Sequence, residues 1–219
     1  MTWLEIYNAV CMRIWGVQAP PEGAVQLLQG QYGVIAEIHR NIQRKRNYWF
    51  MDANTTVAVL TGNPQYPLPA DFKEFAYQGI RFIDATSGLF YEPLRLLLPG
   101  DYKYFSTIDT ADYPEYYAVY EDQLVLMPIP ESDQTLYVMY WKYLARPPAV
   151  FDTSSDALTI YGADVIYNLA AAEVLTAQEE YQKAQMYEVK GQQALEVLNG
   201  EDESRRLGSE VIQVPYQEV

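Results

Sequence analysis

The sequence is poor in the residues from which most catalytic and metal sites are built: it has one cysteine and one histidine in 219 positions. The lone Cys11 excludes an intramolecular disulfide. Its place within the apolar stretch Trp3–Trp15 predicts a packed thiol and fits a reducing cytoplasm. The lone His39 would have to be the base of any serine or cysteine nucleophile. No Gly-x-Ser-x-Gly elbow occurs, and its neighbours are Ile35, Ile38, Arg40 and Ile42, so it reads as a helical or interfacial histidine.

One Cys and one His cannot furnish the usual zinc ligand sets, and no acidic run has the spacing of a calcium loop. Gly30 and Gly33 lack the lysine, the Ser or Thr and the preceding strand of a phosphate-cradling loop. No metal, no cofactor and no catalytic residue is therefore expected. Carboxylates are plentiful, and pairs such as Asp109 with Asp112 or Glu121 with Asp122 have the residue types of a glycosidase. An acidic chain offers such pairs by chance, and solvated surface is the simpler reading.

Long apolar runs are also missing. Nowhere do about 18 consecutive apolar residues occur, and no basic start leads into an apolar run, so a soluble protein with neither secretion signal nor membrane partner is expected. Cations are in the minority, with 15 Lys and Arg against 29 Asp and Glu and a net charge of -14. Such a chain repels phosphate backbones, which argues against sequence-specific reading of nucleic acid but leaves room for DNA passing nearby. Internal repeats and low-complexity tracts are absent.

What is present is apolar surface and tyrosine. A hydrophobic content of 49% is enough to bury a core without staples. The 20 tyrosines suit two roles equally, as interface side chains with an apolar ring and a polar tip, or as ordinary occupants of β-strands.

Apolar residues at three- and four-residue steps predict a helix from Thr2 to Trp15, with Thr2 and Glu5 as a capping box and Gly16 at its end. A second helix is predicted from Gly23 to Asn47, weakened at Gly30 and Gly33 and ending in Arg40, Arg44, Lys45 and Arg46. Those cations complement the helix dipole, or they form a basic patch that meets an acidic neighbour or a phosphate.

From Trp49 the period shortens toward two. Strands are predicted over Thr55–Leu60, Gly79–Asp84, Phe90–Leu97, Tyr116–Val119, Gln123–Met127 and Thr135–Leu144, with a short helix or turn around Gly100–Ser106. The strands 123–127 and 135–144 form a plausible hairpin through Pro128–Asp133. Helices return over Ser155–Leu175 and Ala177–Leu198, with Thr176 and Glu179 read as a capping box and Asn199-Gly200 as a terminator. The tail beyond reads as extended.

The expected fold class is α+β: a discontinuous α-helical bundle platform, residues 1–52 plus 150–200, carrying an inserted β-sandwich-like or small β-barrel domain, residues 53–149. An extended C-terminal docking arm, residues 201–219, completes it.

The order Tyr66-Pro67-Leu68-Pro69-Ala70-Asp71-Phe72, Arg81 to Gly88, Tyr116 to Asp122, Leu126-Met127-Pro128-Ile129-Pro130 and Leu136 to Tyr143 before a helical C-terminus resembles the head-to-tail adaptor proteins of tailed phages, also called connectors or head completion proteins. The resemblance spans nearly the whole chain and rests on order and texture, not on a catalytic signature.

It implies a non-enzymatic structural protein of the virion neck, assembled in the host cytoplasm. About twelve copies would form a ring between the portal protein and a tail or nozzle protein, with double-stranded DNA passing through the lumen without sequence-specific binding. It also implies an arm that docks on the portal, here Arg205, Arg206, Val211, Ile212, Val214 and Tyr216, while Arg40, Arg44, Lys45 and Arg46 would be an inter-subunit basic patch. A receptor- or carbohydrate-binding tail module, using the tyrosines and acidic loops of the β segment, is the alternative.

Overall fold

The computed structural model describes residues 1–18, 21, 24–30, 32–84, 87–98, 101 and 111–210, with the side chains of 77, 78 and 207–210 left aside. The fold is α+β and divides into two units, Met1–Met51 with Leu144–Val219, and Asp52–Tyr143.

The first unit is helical. Helix α1, Trp3–Trp15, begins with the predicted capping box: the Thr2 hydroxyl accepts from the Glu5 N–H at 3.2 Å, and the Glu5 carboxylate accepts from the Thr2 N–H at 2.8 Å. Gly16 ends it in the left-handed region at φ 72°. Trp3, Ile6, Tyr7, Val10 and Cys11 form its buried face. Burial pushes the Cys11 thiol up to about 11.

The helix predicted over 23–47 is instead two, α2, Val25–Leu28, and α3, Val34–Lys45. Gly30 takes φ 89° between them, and a Cβ on Gly33 would lie 2.4 Å from the Leu28 carbonyl oxygen, so the glycines make a tight turn, not a weak helix centre. Residues Trp49–Met51 add one turn of 3-10 helix.

A second predicted helix also breaks at glycine. Helix α4, Ala157–Tyr161, is capped by Asp156, whose carboxylate accepts from the Thr159 N–H at 2.8 Å. Gly162 then separates it from α5, Ala163–Ala177. Thr176 caps no further helix, because its hydroxyl donates to the Ala172 carbonyl at 2.8 Å, and the chain turns at Glu179 with φ 63°.

The last helix, α6, runs Tyr181–Glu210 straight through Asn199 and Gly200. Gly200 has nothing within 4 Å of a notional Cβ, so its presence costs about 1 kcal/mol of helix propensity and does not stop the helix. Residues 201–210 are thus helical where an extended segment was expected. Helix α5 packs against α1, α3 and α6. Its alanines, Ala170 and Ala171, are fully buried, and Gly191 lets Leu169 approach α6 closely.

Among its described residues the second unit has ten strands: β1 Asp52–Val59, β2 Gln65–Pro67, β3 Phe72–Ile83, β4 Phe90–Pro93, β5 Arg95–Leu96, β6 Ala111–Asp112, β7 Tyr116–Tyr120, β8 Gln123–Met127, β9 Ile129–Pro130 and β10 Gln134–Lys142. Their sheets have the orders β1-β10-β3-β4, β2-β8-β7-β5 and β6-β9. Strand β3 begins seven residues before the predicted Gly79, where the register against β10 shifts. A Cβ on Gly79 would stand 2.3 Å from the Met139 carbonyl oxygen, which is why the irregularity falls at a glycine.

The expected hairpin of 123–127 with 135–144 is not formed. Strand β8 pairs with β7 and β2, and β10 with β1 and β3. The tight connection is at Glu121-Asp122, both with positive φ (49° and 59°), the two-residue turn whose twist matches antiparallel strands. Side chains of both four-stranded sheets, among them Val59, Ile80, Phe82, Leu124, Leu126 and Leu136, share one core. The expected helix or turn near Gly100–Ser106 lies outside the described residues apart from Asp101.

Candidate functional site

Two stretches expected to carry contacts, the basic end of the second predicted helix and the start of the C-terminal arm, meet in the helical unit. Helix α3 ends in Arg44 and Lys45, and the extended residues Arg46–Tyr48 lead into the turn at Trp49. Beside them runs the last part of α6. Asp202 on α6 is fully buried, and its carboxylate serves three partners. One oxygen accepts from the Arg46 Nε at 3.0 Å, and the other from the Trp49 backbone N–H at 2.8 Å. Arg206 Nε stands 3.0 Å from the Arg46-bound oxygen and contributes charge to the cluster.

The clamp extends on both sides. A terminal nitrogen of Arg46 donates to Glu203 at 3.2 Å, Arg206 donates to the Asn47 carbonyl, and the Tyr48 hydroxyl donates to Asn199 at 3.1 Å. Burial works against the Arg46 charge, and the Glu203 and Asp202 carboxylates outweigh it, raising the guanidinium's pKa. A buried carboxylate shared by two guanidiniums and a backbone N–H has most of its lone pairs satisfied, the condition under which burying a charge is tolerated.

Arg205, on the same turn of α6, reaches an aromatic cluster. Its guanidinium lies 4.3 Å from the Trp49 ring centroid and 5.5 Å from that of Tyr161. Trp49 meets Tyr161 edge-on at 5.2 Å, and Phe50 stacks on Tyr161 at 5.7 Å. An arginine packed over aromatic rings joins a held charge to large apolar faces, the composition from which interface anchors are made.

The four residues of the expected basic patch therefore have separate fates. Arg46 is absorbed by the Asp202 clamp, Arg40 is half-buried, and Arg44 and Lys45 are exposed. Lys45 also lines a groove of about 330 Å³ between α3, α5 and α6, whose floor includes Ile38, Ile42, Leu169 and Leu195. Of the expected arm, Arg205 and Arg206 are helical and packed as described, while Val211, Ile212, Val214 and Tyr216 lie outside the described residues.

His39 is buried and braced. Its Nε2 lies 2.8 Å from the Asp156 carboxylate, the Gln43 amide lies 3.0 Å from its Nδ1, and the edge of Trp3 packs 5.1 Å away. The Gln43 carbonyl oxygen accepts from the Leu144 N–H at 2.7 Å, so the histidine belongs to a network joining α1, α3, the α4 cap and the returning chain.

The suspected acid pairs have local duties: Glu121 and Asp122 form the β7–β8 turn, and the Asp112 carboxylate accepts from the Tyr113 N–H at 2.7 Å. Asp109 lies outside the described residues. Among the described residues no group of three or more His, Cys, Asp or Glu is placed to hold a metal ion, and no helix is long and apolar enough to cross a membrane.

Asp202, Trp49 and Tyr161 were not among the expected site residues; Tyr161 was expected on the buried face of its helix, and it is exposed. The readable signal was the spacing of Asp202 and Arg206, four apart and so one above the other on a helix. Reading Asn199-Gly200 as a terminator concealed it.

Helices and sheets in two compact units define an α+β protein, whose helical unit is closed by the clamp of Arg46, Trp49 and Asp202. The family model described as SU10 adaptor protein matches residues 1–213, and the chain belongs to this family of phage head-to-tail adaptors. It is thereby a phage structural adaptor whose family interacts with other phage head and tail proteins. A search of curated proteins gives no match.

Proposed function

We propose that this protein is a non-enzymatic subunit of an adaptor ring in the virion neck, joining the capsid portal to the tail or nozzle protein and lining the passage of double-stranded DNA. About twelve copies, set by the symmetry of the portal above, would close the ring. The family match over residues 1–213 carries the reading. Three features support it.

The Asp202 clamp fixes the last helix against the end of α3, so that the chain after Glu210 leaves from a braced position. This suits an arm, residues 211–219 with Val211, Ile212, Val214 and Tyr216 as anchors, that docks on the portal and is flanked at its root by Arg205 and Arg206. Exposed Arg44 and Lys45 suit contact with acidic residues of a neighbouring copy in a chain whose net charge is -14. The same net acidity keeps passing DNA from adhering to the lumen. A helical platform and a sandwich-like β unit, whose two sheets share one core, are the finer form of the fold in this reading.

Electron microscopy of portal-containing capsids mixed with the purified chain tests it. Rings of the adaptor seated on the portal are expected with the full chain, and bare portals with a chain ending at Glu210. Binding to glycans through the β unit, with no attachment to capsids, would instead favour a receptor-binding tail module.

A further inference from the structure

Helix α6 turns one face, with Ala184, Gly191, Leu198 and Asp202, into the helical unit, where all four are buried. Its opposite face carries Met186, Val189, Gln193, Val197 and Gly200 in one line, because steps of three and four residues return to the same side of a helix. Met186, Val189 and Val197 are 44%, 50% and 63% exposed, and the line holds no charge. Single apolar side chains on a surface are ordinary, but a neutral line along about four turns of an otherwise charged helix has the composition of a helix-pairing seam.

The line reads the same in both directions. With Gln193 as its centre, Met186 stands seven positions before and Gly200 seven after, and Val189 and Val197 stand four to either side. Gln182 and Ser204 extend the symmetry at eleven positions. An antiparallel second copy, related by a two-fold axis at Gln193, therefore sets Met186 over Gly200, Val189 on Val197 and Gln193 against its own equivalent. Gly200 has nothing within 4 Å of a notional Cβ, which leaves the space a flexible Met186 side chain fills. Two Gln193 amides can each donate to the other, and one polar pair within an apolar seam fixes its register.

Charge selects the same arrangement. Exposed Lys183, Lys190 and Glu201 lie along one flank of the line. Antiparallel pairing brings like flanks together, so Glu201 of the second copy falls between Lys183 and Lys190, while Lys183 keeps Glu180 of its own chain. Parallel pairing would instead set lysine beside lysine and glutamate beside glutamate, and leave Gly200 facing Gly200.

We propose that the free chain pairs with a second copy of itself through this face of α6, antiparallel about Gln193. A two-fold contact closes on itself, so the inference goes beyond the adaptor ring and does not rest on it.

Sedimentation of the full-length chain tests it. The mass is expected to rise from 25.2 kDa toward twice that value as the concentration passes through about 50 µM, the weak range of an interface this small. A mass that stays at one copy throughout overturns the proposal, and so does a chain ending at Glu210 that pairs when the full chain does not, because the tail then covers the seam. Val189→Glu with Val197→Glu, both at exposed positions, is expected to weaken pairing at least tenfold while the thermal midpoint holds. Undiminished pairing in that folded variant places the contact elsewhere and overturns it too. Orientation is read from disulfides, since Cys11 is buried and introduced cysteines report alone. Met186→Cys and Gly200→Cys chains are expected to link when mixed and oxidised, and to stay unlinked when each is oxidised by itself. Links within either variant alone contradict the antiparallel pairing.

Discussion

The backbone N–H of Trp49 and the carboxylate of Asp202 lie 2.8 Å apart although 153 positions separate them. That contact, with Arg46 on the other oxygen, closes the helical unit by tying the turn before the β segment to the last helix. Asp202→Ala would leave the Trp49 N–H without its acceptor and two guanidiniums without their shared counter-charge. A loss of about 2–3 kcal/mol is expected, discounted from a wholly buried pair because Arg46 keeps 31% of its side-chain exposure. Denaturant unfolding followed by tryptophan fluorescence checks it, and an unchanged midpoint would refute the clamp.

Two glycines should respond in opposite directions. Gly200→Ala, at an exposed helical position with open space around it, is expected to stabilise by up to about 1 kcal/mol. Gly79→Ala places a Cβ against the Met139 carbonyl, a backbone atom that cannot swing aside, and is expected to cost about 2 kcal/mol or more. Thermal midpoints of the two variants should therefore move apart. If Gly79→Ala is neutral, the bulge in β3 is not as described.

Much of this architecture could be read from residue order. The capping box at Thr2 and Glu5, the buried face of α1 and the strands around 116–127 arise from local spacing, because each is fixed by neighbours a few positions away. The errors share a cause. Propensity alone makes Gly30 a weak point where it is a break, passes over Gly162 where the chain breaks again, and makes Gly200 a stop where it is merely exposed. Proximity in sequence suggests β8 as the partner of β10, whereas β10 crosses to lie between β1 and β3. The clamp needed contact across 153 positions, which no local pattern encodes.

Cys11 should behave as an inert, buried thiol. Burial holds its pKa near 11, above the ordinary value of 9.0. The folded chain therefore keeps the thiol proton where the unfolded chain loses it, and this contribution to stability, complete below pH 9.0, is lost as pH rises through about 11. Disulfide-exchange reagents at about pH 8 are expected to label the native chain far more slowly than the denatured one. Equal labelling rates would show the thiol to be accessible.

Charge reversal at Arg44 and Lys45 separates the surface role of the basic end from its structural one. Neither residue enters the Asp202 clamp, and both are exposed, so Arg44→Glu with Lys45→Glu should fold with little change in stability. If these side chains meet acidic residues of an adjoining subunit, ring assembly on portal-bearing capsids should slow by about tenfold at low salt, with the gap narrowing as salt screens the contact. Arg46→Glu should act differently, destabilising the isolated chain because it sets a carboxylate against Asp202. Assembly at the normal rate by a folded Arg44→Glu, Lys45→Glu variant would remove these two residues from the subunit interface.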